Sequence, residues 1–117
     1  MSKIIQVINA MITNERKIGK VVKKEKEFYF LYDNKYKWSI NNTDDGDYIL
    51  YFYAGAETIE ELSKNPDWNF VQYVTYSSKD FNSQEALESF KELYQVVGTK
   101  LYGLDQIFDD ILGASDF

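Results

Sequence analysis

Between Glu27 and Ala54 the chain packs three strand-forming runs and two turn signals into fewer residues than any other part of it, and an antiparallel meander follows. The runs Glu27 to Tyr32 and Tyr36 to Asn41 flank Asp33-Asn34-Lys35, a hairpin loop of the short kind. A second turn, Thr43-Asp44-Asp45-Gly46, leads into the run Asp47 to Ala54, and its Asp-Gly step supplies the residues such a turn needs. Placing Tyr32 opposite Tyr36 sets Phe30 against Trp38 and Phe28 against Ile40, pairs that would hold the register on one face. Across the second turn the register is open: a slip of one residue would exchange the Tyr51/Tyr53 face for the Phe52 face.

The flanks of this meander read differently. Ile4, Ile5, Val7, Ile8, Met11 and Ile12 recur at three-to-four spacing and predict an amphipathic helix, weakly capped by Ser2 and ending near Asn14. Its β-branched content makes it dependent on tertiary packing. Lys17 to Lys24 reads as a short first strand weakened by Gly19. A short helix is expected over Glu57 to Lys64, stopped by Asn65-Pro66, and a last strand over Asn69 to Tyr76. Asn82 and Glu85 then suggest a capping box. Beyond it, Ala86, Leu87, Phe90, Leu93, Tyr94 and Val97 form a helical stripe that resumes through Leu101, Leu104, Ile107, Phe108, Ile111 and Leu112. Gly98 and Gly103 are expected to divide it into two helices, and Gly113 to end it.

At 117 residues the chain has room for one domain, 1–117, and one core. The expected class is α+β: an antiparallel sheet of about four strands with an N-terminal helix and a C-terminal helical pair packed on it. There is no Cys and no His. Thiolate nucleophiles, disulfides and Cys-type zinc sites are thereby excluded, and so is the commonest general base and metal ligand. The glycines are scattered, with no phosphate-cradling loop. Asp44-Asp45-Gly46-Asp47 is too short for a calcium loop and is explained by the hairpin turn. The expectation is a non-enzymatic protein with no catalytic residues, no metal and no cofactor. No apolar run reaches a membrane span and no signal-peptide pattern opens the chain, so a cytoplasmic location is expected.

Two features remain that packing does not demand. Charge is segregated: up to residue 40 there are nine Lys and Arg against four Asp and Glu, and after it four against fifteen. The basic residues concentrate at Arg16, Lys17, Lys20, Lys23, Lys24 and Lys26. The acidic ones fall on the second turn, the short helix and the C-terminal segment, where Asp105, Asp109, Asp110 and Asp116 lie beyond Glu85, Glu88 and Glu92. Such a dipole can steer a charged partner. The second feature is aromatic excess, 17% of the chain with 10 Tyr and 8 Phe, spread over both faces of the meander. Tyr48, Leu50 and Phe52 would point one way and Ile49, Tyr51 and Tyr53 the other. One face must pack on helices. The other is either covered, most simply by the N-terminal helix, or forms a Tyr-rich recognition surface.

These features point to a small acidic protein-binding module that works by stoichiometric association, an inhibitor or antidote of the immunity or phage anti-defence type. Its expected partner is a basic or nucleic-acid-processing protein, met through Tyr51, Tyr53, Tyr73, Asp105, Asp109 and Asp110. Direct nucleic-acid binding, suggested by the basic stretch beside Tyr29, Tyr36 and Trp38, is opposed by the acidic half and the net charge of −6. The alternatives are a self-assembling protein whose homodimer covers the Tyr face, and a small-ligand binder with a pocket lined by Trp38, Trp68 and tyrosines.

Overall fold

The central hairpin forms in the register its side chains demand. In a computed structural model that describes residues 2–101 and 103–114, with the side chains of 104–106 and 114 outside that description, β2 (Glu27–Tyr32) and β3 (Tyr36–Asn42) pair with Tyr32 opposite Tyr36, Phe30 opposite Trp38 and Phe28 opposite Ile40. Asp33 and Asn34 carry the loop with φ of 57° and 54°, a left-handed conformation that short Asx side chains tolerate better than others. The Lys35 N–H closes the turn on the Tyr32 carbonyl. At the second turn Gly46 takes φ 86°, where a side chain would be strained. The Thr43 N–H donates to the Asp47 carbonyl, and Asp45 is bonded to both Thr43 and Lys79. Those two bonds lower the Asp45 carboxyl to about 2.

β4 (Tyr48–Tyr53) follows with Leu50 opposite Ile40 and Phe52 opposite Trp38, which settles the register across the second turn. Tyr51 and Tyr53 therefore stand on the face opposite Phe52. The sheet has five strands rather than about four, all antiparallel, in sequence order from β1 (Ile18–Lys24) to β5 (Tyr73–Ser77). β1 is irregular between Gly19 and Val22, where Lys20 takes φ 51°.

One sheet face carries the main core. Phe28, Phe30, Trp38, Ile40, Tyr48 and Leu50 meet the buried stripes of two helices. α1 (Lys3–Thr13) contributes Ile4, Ile5, Ile8 and Met11, and α3 (Gln84–Thr99) contributes Ala86, Phe90, Leu93 and Val97. Gly98 does not break α3. It lies within the helix, and a Cβ there would sit 3.3 Å from the Phe28 ring, so the glycine is what lets the helix approach β2. The break comes after Thr99 instead: Gly103 takes φ 65°, and α4 (Leu104–Ala114) follows it. The α3 cap also differs from expectation: Ser83 accepts from the Ala86 N–H, while Asn82 is left-handed at φ 43° and precedes the cap. The reciprocal box forms elsewhere, between Thr58 and Glu61, at the start of α2 (Ile59–Ser63).

The second face is covered as well, though not by α1, which packs beside α3 on the first. Ile59 and Leu62 of α2, with Val71, bury Tyr29 and Tyr53 in a smaller core. Asn69 and Phe70, expected in a strand, lie in a 3-10 turn at Trp68–Phe70 that Asp67 caps, and the last strand starts at Tyr73. Among the described residues α4 packs against no element to a comparable extent, and Ile107, Phe108, Ile111 and Leu112 are exposed. The radius of gyration, 15.1 Å, exceeds the roughly 13 Å of a closely packed chain of this length.

Candidate functional site

The second face of β4 and β5 gathers four aromatic rings. Alternation along β4 puts Tyr51 and Tyr53 on this face, stacked with centroids 6.1 Å apart and planes 7° apart. Opposite Tyr53, the first residue of β5 brings Tyr73 to 6.4 Å from Tyr53 and 5.9 Å from Tyr51. The 3-10 turn then lays Trp68 edge-on to Tyr73 at 6.1 Å. From inside to outside the cluster runs from Tyr53, 2% exposed, through half-buried Tyr51 to the exposed Tyr73 and Trp68, and Phe70, two residues beyond Trp68, is 80% exposed.

Its inner end is anchored by a polar network. Ser39, fully buried, donates to Glu27 Oε2 at 2.6 Å and lies 2.7 Å from the Tyr53 hydroxyl. The Tyr29 hydroxyl donates to the other oxygen, Glu27 Oε1, at 3.2 Å. Since the one Ser39 proton is committed to the carboxylate, Tyr53 donates to Ser39. Burial, first, and the Glu27 charge raise the phenols of Tyr29 and Tyr53 far above their usual range, and burial raises Tyr51 as well. Ser39 touches a carboxylate but is fully buried, and its hydroxyl ties β3 to Glu27 of β2 and Tyr53 of β4. Lys37 anchors the chain leaving β4 by donating to the carbonyls of Gly55 and Glu57.

The outer end of the cluster lies on a free edge. Among the described residues β5 pairs only with β4, and residues 68–78 carry no charge. The opposite edge is different in kind: β1 has Lys20, Lys23 and Lys24 and a left-handed irregularity, two devices that block pairing with another strand. On β5 the Ala54 N–H bonds to the Gln72 carbonyl, and with the register this turns the N–H groups of Tyr73 and Thr75 outward. Beside them, Val74 is exposed on the first face and Tyr73 on the second. This edge offers backbone donors and apolar side chains together.

The structure separates residues that the sequence reading grouped. Tyr51, Tyr53 and Tyr73 all belong to the aromatic cluster, with Tyr53 at its buried end. Asp109 and Asp110 are exposed on α4, and Asp109 lines a cleft with Arg16, Ile18, Gly19 and Lys100, near the start of β1. Because β1 and β5 are opposite edges of the sheet, the aspartates and the tyrosines do not make one surface. Asp105 falls in α4 with its side chain outside the described residues, and Asp116 lies outside them altogether. Trp68 and Phe70 were missed as surface aromatics. The uncharged run from Trp68 to Ser78 was the signal that could have found them.

The two tryptophans do not share a pocket. Trp38 lines an apolar groove of about 640 Å³ between α1 and the sheet, with Ile4, Val7, Met11, Phe52 and Tyr76, while Trp68 lies on the other face. The Trp38 indole N–H is buried without a hydrogen-bond partner. Among the described residues no helix is long and apolar enough to cross a membrane. No protein-family model matches the chain, and no curated protein or solved structure matches it either.

Proposed function

We infer that the protein is a stoichiometric protein-binding module that takes a strand of its partner onto the free edge of β5. The observation that carries this reading is the contrast between the two sheet edges: β1 is guarded by lysines and a bulge, while β5 is uncharged and exposes Tyr73 and Val74. Strand addition supplies main-chain hydrogen bonds, and alternate side chains of the added strand supply specificity. Trp68 and Tyr73 are the anchors, because large aromatic rings at an interface carry a disproportionate share of binding energy. Tyr53 and Ser39 work indirectly, by keeping β4 and β5 in place.

The partner has a basic surface. Acidic residues exceed basic ones after residue 40, and Asp44, Asp45, Asp67 and Asp80 fall in the turns that neighbour β4 and β5. That field accelerates encounter, while the edge strand supplies affinity. An inhibitor or antidote acting in the cytoplasm on a nucleic-acid-processing protein suits a chain with no His, no Cys and a buried serine. Thr75→Pro removes one outward N–H and leaves the ladder to β4 intact, so it tests the reading. Binding lost with the fold retained supports it, and binding unchanged contradicts it.

A further inference from the structure

α4 carries an apolar stripe that is exposed among the described residues. In helical register Ile107, Phe108, Ile111 and Leu112 fill one side, and Asp109 and Asp110 border that stripe on either flank. Ile111 and Leu112 are 60% and 64% exposed, where an amphipathic helix ordinarily buries this face. The groove beside Trp38 is its counterpart: open, apolar and walled by Ile4, Val7 and Met11 of α1 and by Phe52 and Tyr76 of the sheet. Lysines border it, with Lys3 in the α1 wall and Lys35 placed 4.9 Å from the Tyr36 ring that also lines it. Acid-flanked stripe and lysine-flanked groove are complementary in polarity and in charge.

The chain's own α4 does not reach this groove. α1 packs against α3, and the groove opens on the flank of α1 away from α3, to which α3 contributes no residue. Crossing α1 requires two helix spacings, about 16–20 Å. Residues 100–103 would cover about 14 Å even if fully extended. Lys100, Leu101 and Gly103 are not extended: their N–H groups bond to the carbonyls of Val97, Gly98 and Lys100 in tight turns.

We propose that two copies of this chain associate by exchanging α4, each inserting its apolar stripe into the Trp38-lined groove of the other. A reciprocal exchange closes as a twofold dimer, fills both grooves and leaves neither stripe exposed. The proposal is independent of strand addition at β5, which stays free in such a dimer.

The test uses full-length chains carrying single cysteines, which the protein otherwise lacks. Ala10→Cys lies in the exposed lining of the groove and Ile111→Cys on the exposed stripe, so neither disturbs the core. Mixed and gently oxidised, the two variants should form a disulfide between unlike chains in preference to like pairs. Light scattering should give twice the monomer mass for the unaltered chain, falling to the monomer mass for Ile111→Glu. Four results would overturn the proposal. They are a monomer at every concentration, a bond formed only within one chain carrying both cysteines, a dimer that survives Ile111→Glu, and a monomer whose groove holds a co-purified small molecule.

Discussion

Ser39 is a small, fully buried polar side chain and should be among the most costly to remove. Its hydroxyl serves two partners at once, donating to Glu27 at 2.6 Å and accepting from Tyr53 at 2.7 Å. Ser39→Ala takes the acceptor at 2.7 Å from the Tyr53 hydroxyl, on a residue 2% exposed with only the Tyr29 hydroxyl left beside it, and takes a charge-assisted bond from Glu27. An unsatisfied buried donor costs about 1–3 kcal/mol, and a bond to a charged group contributes about 1.5–3 kcal/mol. Glu27 is half-buried and regains some water, so the expected loss is about 3 kcal/mol, a fall of two orders of magnitude in the folding constant. Tyr53→Phe removes the donor only. Ser39 keeps its bond to Glu27, and the loss is about 1 kcal/mol. The double variant strands no donor, so it should cost about 1 kcal/mol less than the two single losses added together. Urea unfolding of the four proteins gives all three quantities, provided the slope of the transition is shared. A larger loss for Tyr53→Phe than for Ser39→Ala, or strict additivity, would refute the assigned direction of these bonds.

Alkaline pH offers an independent check on the same tyrosines. Burial raises the folded-state phenols of Tyr29 and Tyr53, and to a lesser degree Tyr48, Tyr51 and Tyr94, above the usual value of about 10. The unfolded chain therefore gives up these protons first. Their contribution to stability is fully present below about pH 10 and is lost as pH rises above it. The urea midpoint should fall as pH is raised above about 10, less steeply in Tyr53→Phe, and an equal slope in the two proteins would contradict the burial. Gly98→Ala sets helix propensity, a gain of about 1 kcal/mol, against a 3.3 Å approach to Phe28. Because Phe28 is held by Tyr94 at 4.9 Å, overpacking at about 1–3 kcal/mol should prevail, and the midpoint should drop. A rise would show that the ring yields.

The fold was legible wherever one periodicity ruled a whole segment. Phe28, Phe30, Trp38 and Ile40 alternate cleanly, and their pairing came out in the expected register. The stripes of α1 and α3 were equally plain. What escaped were features set by the other side of a contact. Gly98 reads as a helix breaker in one dimension, whereas its role depends on Phe28, 70 residues earlier. Asn69 and Phe70 suit a strand by composition, yet Asp67 caps a 3-10 turn that takes them out of it. The cover of the second face could not be read from α2 because a five-residue helix has almost no periodic signature. For the candidate site, aromatic excess and charge segregation were visible in the sequence. Their separation onto opposite edges of the sheet follows from strand order, which those patterns do not encode.

The central claim, that β5 receives a partner strand, is tested most directly by comparative capture from an extract of the native host. Unaltered protein and Thr75→Pro are used side by side, with circular dichroism and urea midpoints establishing that both fold. The account predicts one protein recovered in equal molar amount by the unaltered chain and absent with Thr75→Pro. In the complex, hydrogen exchange at Tyr73 and Thr75 should become slow. The same partner recovered equally by both chains, with those amides still exchanging freely, would contradict it.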